Sequence, residues 1–291
     1  MDIGGPAPSV EYRDSLVNET TTAVAIALPE MAVLSLSSFN VHAGVDGLGR
    51  PFDALGACLD LDADVLVVQE AWAPDDGLGL VDELCRRGYE AHRGIEVRGW
   101  IYPPADEAEP GWGPLLRRRP GVGMRVQWPG RPALSGGAAV GTAVGTVGLA
   151  VLSRVPVLRH SEIDLGRLPG DVGRSAVVLE IGPPDGPLRV VGVHMSHLRN
   201  GSPVQFVRLR RALGDARRTA VLGDMNLWGP PLALLFPGWR RAVRGRSWPS
   251  WRPTFQIDHV LTSPDLEVTE RRVGEHHGSD HRPVRVEVKI G

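Results

Sequence analysis

Short apolar runs separated by clusters of Gly, Pro, Asn and Asp cover most of this chain, and they predict more strands than helices. The first clear strand is "AVLSLSSFNV" at 32–41. A Gly-rich turn follows, then "PFDALGACLDLD", whose apolar spacing and opening Pro suit a short helix. "ADVLVVQEAW" is a valine-rich run ending in polar residues, as a buried strand does. "GLVDELCRRG" predicts a helix stopped by Gly88. From Arg93 to Gly148 the pattern dissolves into Gly, Pro, Trp and Arg, which predicts long surface loops around one hairpin, either an insertion or a lid facing substrate. Strands resume with "GLAVLSRVPV", "RSAVVLEI" and "PLRVVGVHMSH". "SPVQFVRLRRALGDA" predicts a helix, and "RTAVLGDMN", "FQIDHVLTSP" and "HRPVRVEVKI" predict the remaining strands.

Several strands follow one another directly, so the sheets are expected to be mixed or largely antiparallel with helices outside, which excludes the regular alternation of a dinucleotide-binding fold. Residues 1–30 carry little pattern and are expected to be a flexible extension, with 31–291 as one domain and Met31 directly before the first strand.

Composition narrows the classes further. The chain has 291 residues, 42% of them hydrophobic, which is ample for a core. A formal charge of −2 argues against a wholly polyanion-binding surface. The charge is uneven, however: Arg199 to Arg252 holds eleven arginines against Asp215 and Asp224, while Lys289 is the only lysine. Cys58 and Cys85 form no disulfide framework and have no metal-ligand spacing, as expected of buried thiols in a reducing compartment. "TTAVAIALPEM" is short and lacks a basic leader, and no run is long enough to span a membrane. The expectation is a cytoplasmic monomer.

The chemistry gathers at strand ends: "SFNVH" (Asn40, His42), "VVQE" (Gln69, Glu70), "GVHMSH" (His194, His197), "LGDMN" (Asp224, Asn226), "IDH" (Asp258, His259) and "SDH" (Asp280, His281). Each alone is ordinary turn chemistry. Six at the tips of apolar strands converge if the strands share packed sheets, since sites form where strand ends open into a crevice. The set is rich in hard oxygen donors and has no sulfur, which suits Mg²⁺ or Mn²⁺ rather than a structural zinc.

In order, "SFNVH", "DADVLVVQEAW", "GLAVLSRVPV", "VVGVHMSHL", "LGDMN", "WPSWRPTFQIDHVL" and "GSDHRPV" resemble the endonuclease/exonuclease/phosphatase superfamily from Met31 to the C-terminus. The resemblance implies an α+β fold, a four-layered α/β/β/α sandwich of two mixed, largely antiparallel sheets with outer helices. It also implies residue roles. Glu70 matches the principal metal-binding carboxylate, with Asn40 and Asp280 as further metal-linked groups. Asp224 and Asn226 match the pair that positions the attacking water and phosphate oxygens. His281 matches the imidazole facing the phosphate, Asp258 the acid that orients it, and His194 a phosphate-contacting His for which His197 is a rival, strand alternation favouring His194. Position 42 is often acidic in that family and is His here.

A bound cation and imidazolium donors stabilise the charge that grows during phosphoester cleavage. Either Asp224 or the Asp258–His281 pair could act as base. The substrate is expected to be a phosphodiester, DNA or RNA, with Arg199, Trp248, Trp251 and Arg252 as contacts, because arginines interleaved with tryptophans suit a backbone-tracking, base-stacking groove. The alternatives are a lipid or inositol phosphate substrate, or a non-catalytic binding or scaffold member of the same fold.

Overall fold

The computed structural model describes residues 32–47, 50–102, 123–126, 143–169, 171–214 and 216–290. The strands, in chain order, are β1 (Val33–Asn40), β2 (Val65–Pro74), β3 (Glu90–Tyr102), β4 (Gly123–Val126), β5 (Ala143–Ser153), β6 (Val157–Arg167), β7 (Gly173–Ile181), β8 (Leu188–His194), β9 (Thr219–Asp224), β10 (Arg240–Arg241), β11 (Asp258–Thr262), β12 (Glu267–Val273) and β13 (Val284–Lys289). The helices are α1 (Ala54–Leu59), α2 (Leu80–Cys85), α3 (Pro203–Leu213) and α4 (Gly229–Leu235). One sheet runs β12-β13-β1-β2-β5-β3-β4 and the other β10-β11-β9-β8-β7-β6. Only β1–β2 and β8–β9 pair in parallel among these neighbours, so both sheets are mixed and largely antiparallel.

Three apolar layers follow from period-two alternation. Leu34, Leu36, Val65, Val67, Leu149 and Val151 meet Val177, Leu179, Val190, Ala220, Leu222 and Val260 between the sheets. Phe39, Leu66, Val68 and Leu152 turn outward to Ala57, Cys58, Val81 and Leu84 of α1 and α2. Val191, Val193, Val221 and Leu261 turn outward to Phe206, Leu209 and Leu232 of α3 and α4. The result is the expected four-layered α/β/β/α sandwich. The sheets approach closely at Gly192, where a Cβ would stand 2.4 Å from Val151 Cγ2 and 2.9 Å from Val67 Cγ1. No helix among the described residues is long and apolar enough to cross a membrane.

Several local expectations need correction. The stretch from Arg93 to Gly148 is not all loop: β3 and β5 take much of it and pair antiparallel from Glu90↔Ser153 to Ile101↔Ala143. Arg93 and the glycines at 94, 99, 145 and 148 interrupt the alternation there, and pairing rather than pattern makes the strands. "GLAVLSRVPV" is the end of β5, a turn, and the start of β6, not one strand. The rest of β6 and all of β12 went unseen because they are exposed strands at sheet edges with charged faces. Pro51 precedes α1 without opening it; Asp53 is its N-cap and accepts from the Gly56 N–H at 2.8 Å. The expected extension over 1–30 and Met31 lie outside the described residues.

Candidate active site

The inter-sheet faces of β1, β2, β8, β9 and β11 are apolar until the strands reach one end of the sandwich. There the same face continues as Asn40, Gln69, His194, Asp224 and Asp258, all buried. Pairing aligns them: Asn40 lies opposite Gln69, His194 opposite Asp224, and Asp224 opposite Asp258. The parity that buries Val190 also buries His194, whereas His197 lies beyond the strand on the exposed rim. The loop before β13 delivers Asp280 and His281, and Ser279 Oγ anchors it by donating to Asn40 O at 2.7 Å.

Two carboxylates of the site sit at register shifts against β5, and the first of them breaks the alternation. Glu70 lies in the shift between Val68 and Ala71, with a left-handed φ of +54°. Strict alternation would have turned it to the helix side; the irregularity brings Oε1 to 3.1 Å from Asn40 Nδ2. Glu96 lies in the shift between Ile95 and Val97 of β3. Gly148 of β5 stands opposite Ala71 on one side and Ile95 on the other, so one glycine borders both irregularities. His42 and Asn226 also have φ of +44° and +47°, which concentrates backbone strain at the site.

Asp224 is the centre of the assembly. Its Oδ2 accepts from Asn40 Nδ2 at 3.1 Å and lies 3.7 Å from His281 Nε2 and 3.9 Å from His194 Nε2. Its Oδ1 accepts from the Asn226 N–H at 2.9 Å, while the Asn226 side chain donates to Met195 O at 2.9 Å. Burial and the neighbouring Asp258 raise the Asp224 pKa despite the opposing His281 and His194. His281 Nδ1 is 2.9 Å from Asp258 Oδ2 and 3.1 Å from Oδ1. Burial pulls the His281 pKa down, but Asp258, Asp280 and Asp224 together hold it well above 6.5. Burial likewise works against the charge of Glu70, yet His42, His194 and the Asn40 bond outweigh it and set its pKa at about 2.

His194 Nδ1 is 2.9 Å from Glu96 Oε2, and Arg174 Nη1 reaches both, at 2.7 Å from the imidazole nitrogen. Arg174 is also 3.6 Å from Asp171. Glu96 and Arg174 were missed from sequence, since one sits inside an unpatterned strand and the other opens β7 with no motif around it.

The expected substrate contacts separate into two groups. Trp248 Nε1 donates to Asp280 Oδ2 at 3.3 Å and its ring tilts against Phe255. Trp251 and Arg252 are exposed, and Trp251 packs over Gly47. Arg199 lies in the short turn after His197, at the other rim. Phe255 and Trp228 are further exposed aromatics, three residues before Asp258 and two after Asn226. His42 Nδ1 lies 3.2 Å from Val45 O and 3.5 Å from Asp280 Oδ1. His276 bonds Ser250 Oγ at 2.9 Å, and His277 packs edge-on against Phe39.

The donor set suits a hard divalent cation. Glu70 and Asp224 both accept from one amide nitrogen, and Asp280 Oδ1 lies 4.0 Å from the His281 Nε2 that faces Asp224. Asp224, Asp258 and His281 also offer ligand atoms within 4.8 Å of one another. Both Asp258 oxygens face His281 Nδ1, however, so that trio is better suited to holding a proton.

No curated protein matches this sequence. Among solved structures, an endonuclease/exonuclease/phosphatase from Beutenbergia cavernae is 19% identical with a TM-score of 0.56, over 89% of this chain and 72% of that one. ANGEL2, a 2′,3′-cyclic phosphatase bound to adenosine-2′,3′-vanadate, is 13% identical with a TM-score of 0.59, over 89% and 96%. D. rerio TDP2 complexed with single-strand DNA product is 16% identical with a TM-score of 0.52, over 89% and 99%. These likenesses show a shared fold, and the profile of the Endonuclease/Exonuclease/phosphatase family matches residues 37–281. The chain therefore belongs to the endonuclease/exonuclease/phosphatase family.

Proposed function

We propose that this chain hydrolyses phosphodiesters with Mg²⁺ or Mn²⁺ and that nucleic acid is its substrate class. The observation that carries the reading is the Asp224 carboxylate, buried and flanked by the Nε2 atoms of two imidazoles. Glu70 and Asp280 would hold the cation, with Asn40 fixing Glu70. When bound, the cation neutralises charge on the phosphate and its leaving oxygen.

The chain's own groups divide the proton handling. Asp224, with its raised pKa, takes a proton from the attacking water. Asp258 keeps His281 cationic, so His281 Nε2–H donates to a phosphate oxygen as negative charge builds there. His194, steadied at Nδ1 by Glu96, gives its Nε2 proton to the leaving oxygen. The water hydroxyl forms the new P–O bond, the ester P–O bond breaks, and the cycle closes as Asp224 gives its proton to solvent and His194 takes one back from it. Exposed Trp228, Trp251 and Phe255, with Arg199 and Arg252, favour stacked bases and a bound backbone.

The test is a panel of single-stranded and plasmid DNA, RNA, bis-p-nitrophenyl phosphate, sphingomyelin and inositol phosphates, each with Mg²⁺ or Mn²⁺ and again with excess chelator. The expected result is metal-dependent cleavage of nucleic acid and the small diester. Full activity in chelator overturns the metal requirement. Cleavage of lipid or inositol phosphate alone overturns the substrate class.

A further inference from the structure

At the opposite end of β9 from Asp224 lies a cleft of about 750 Å³, within the size range of small-ligand pockets. Its lining combines Arg210, Arg211 and Arg217 with Trp239, Val207 and Pro264. It shares no residue with the active site. Five residue steps separate Thr219 from Asp224 along β9, so the two sites stand roughly 17 Å apart.

The lining has two parts. Trp239 meets Phe236 edge-on, with centroids 5.6 Å apart, and Phe236 meets Phe206 in the same way at 6.2 Å. The indole is thus fixed by the core beneath it, next to the apolar side chains of Val207 and Pro264. On the rim, Arg217 Nε faces Asp265 at 3.4 Å, and that carboxylate also accepts from the Arg218 backbone N–H at 3.1 Å. Arg210 and Arg211 are exposed in the last turn of α3. Among the described residues, three arginines and one carboxylate line the cleft together with a rigid aromatic surface. A flat apolar ring on the indole, with an anion at the arginines, satisfies both parts at once.

We propose that this cleft binds a nucleoside phosphate, its base against Trp239 and its phosphate at Arg210 and Arg211. The ligand is either a free nucleotide or one unit of a nucleic acid strand that also reaches the active site. Binding here depends on neither the metal nor hydrolysis, so the proposal stands or falls separately from the proposed function.

The experiment is titration calorimetry on the full chain in chelator, with AMP and with a short single-stranded DNA. AMP is expected to bind, and the Arg210→Ala/Arg211→Ala double variant is expected to lose at least tenfold in affinity. Hydrolysis of bis-p-nitrophenyl phosphate and the melting temperature should stay unchanged in that variant. Arg211→Glu provides a second variant with the same expected loss. A response to the oligonucleotide without one to AMP, sensitive to the same variants, identifies the ligand as a strand unit. The proposal is overturned if neither ligand binds, if the arginine variants bind as tightly as the parent, or if Asp224→Asn abolishes binding. The arginines would then serve only the carbonyl end of α3.

Discussion

Asp224 stands between two histidine–carboxylate pairs that look alike and are charged differently. On one side, both oxygens of Asp258 face His281 Nδ1, and Asp280 and Asp224 add to the negative field. On the other, Glu96 shares a single oxygen between His194 Nδ1 and Arg174, so a guanidinium competes for the same carboxylate. Burial disfavours both imidazolium ions. Arg174 further opposes the one on His194, whose pKa is raised but less emphatically than that of His281. In the proposed mechanism the difference suits two tasks: His281 would remain a cationic donor throughout, whereas His194 would hold a proton it can release.

The largest break in this comparison is expected on the His281 side. His281→Gln should lower kcat/KM by about 10³-fold, within the range for losing a charged donor to a developing oxyanion. Asp258→Asn should cost somewhat less, and the double variant should be little worse than His281→Gln alone, because the two act as a unit. Steady-state kinetics on a diester with Mg²⁺ checks both. Independent, multiplying losses would separate Asp258 from His281.

These pairs also differ in how far the sequence reveals them. Asn40, His194, Asp224 and Asp258 each continue the inter-sheet alternation of a strongly apolar strand, so pattern alone aims them at one place. Asp280 and His281 precede β13, which is equally regular. Glu96 has a weaker frame: it shares the parity of His92 and Gly94, which face the other sheet, but Arg93 and the glycines at 94 and 99 interrupt the pattern of β3 and no motif surrounds it. Glu70 was found by motif although its orientation depends on a register shift against β5. The sandwich itself was legible because its inner strands are apolar, and its exposed edges β6 and β12 were not.

A third histidine sharpens the contrast on the stability scale. His259 follows Asp258 but points to the outer face, where Nε2 meets Leu227 O at 2.9 Å and burial lowers its pKa to about 4. The unfolded chain, with this group near 6.5, therefore binds the proton more readily than the folded one. Stability is full above pH 6.5 and falls as pH drops toward 4, by about 3 kcal/mol for this group alone. His259→Gln should flatten that part of the acid limb in urea unfolding measured at pH 7, 6 and 5. An unchanged slope would assign acid sensitivity to other groups.

The smallest expected effect is the one that probes Arg174. Glu96→Gln removes the carboxylate that raises the His194 pKa and leaves Arg174 beside Nδ1, so kcat should fall by roughly tenfold. The alkaline limb of the pH–rate profile should also move to lower pH, because His194 then loses its proton more easily. Arg174→Lys keeps the cation but gives up the planar fork that reaches both partners, so it should change kcat by only a few fold. Its alkaline limb should stay close to that of the parent. A merely structural Glu96 would lower stability and leave the limb where it was. A shift confined to Glu96→Gln therefore assigns the proton lost at high pH to His194 and leaves His281 cationic across the working range.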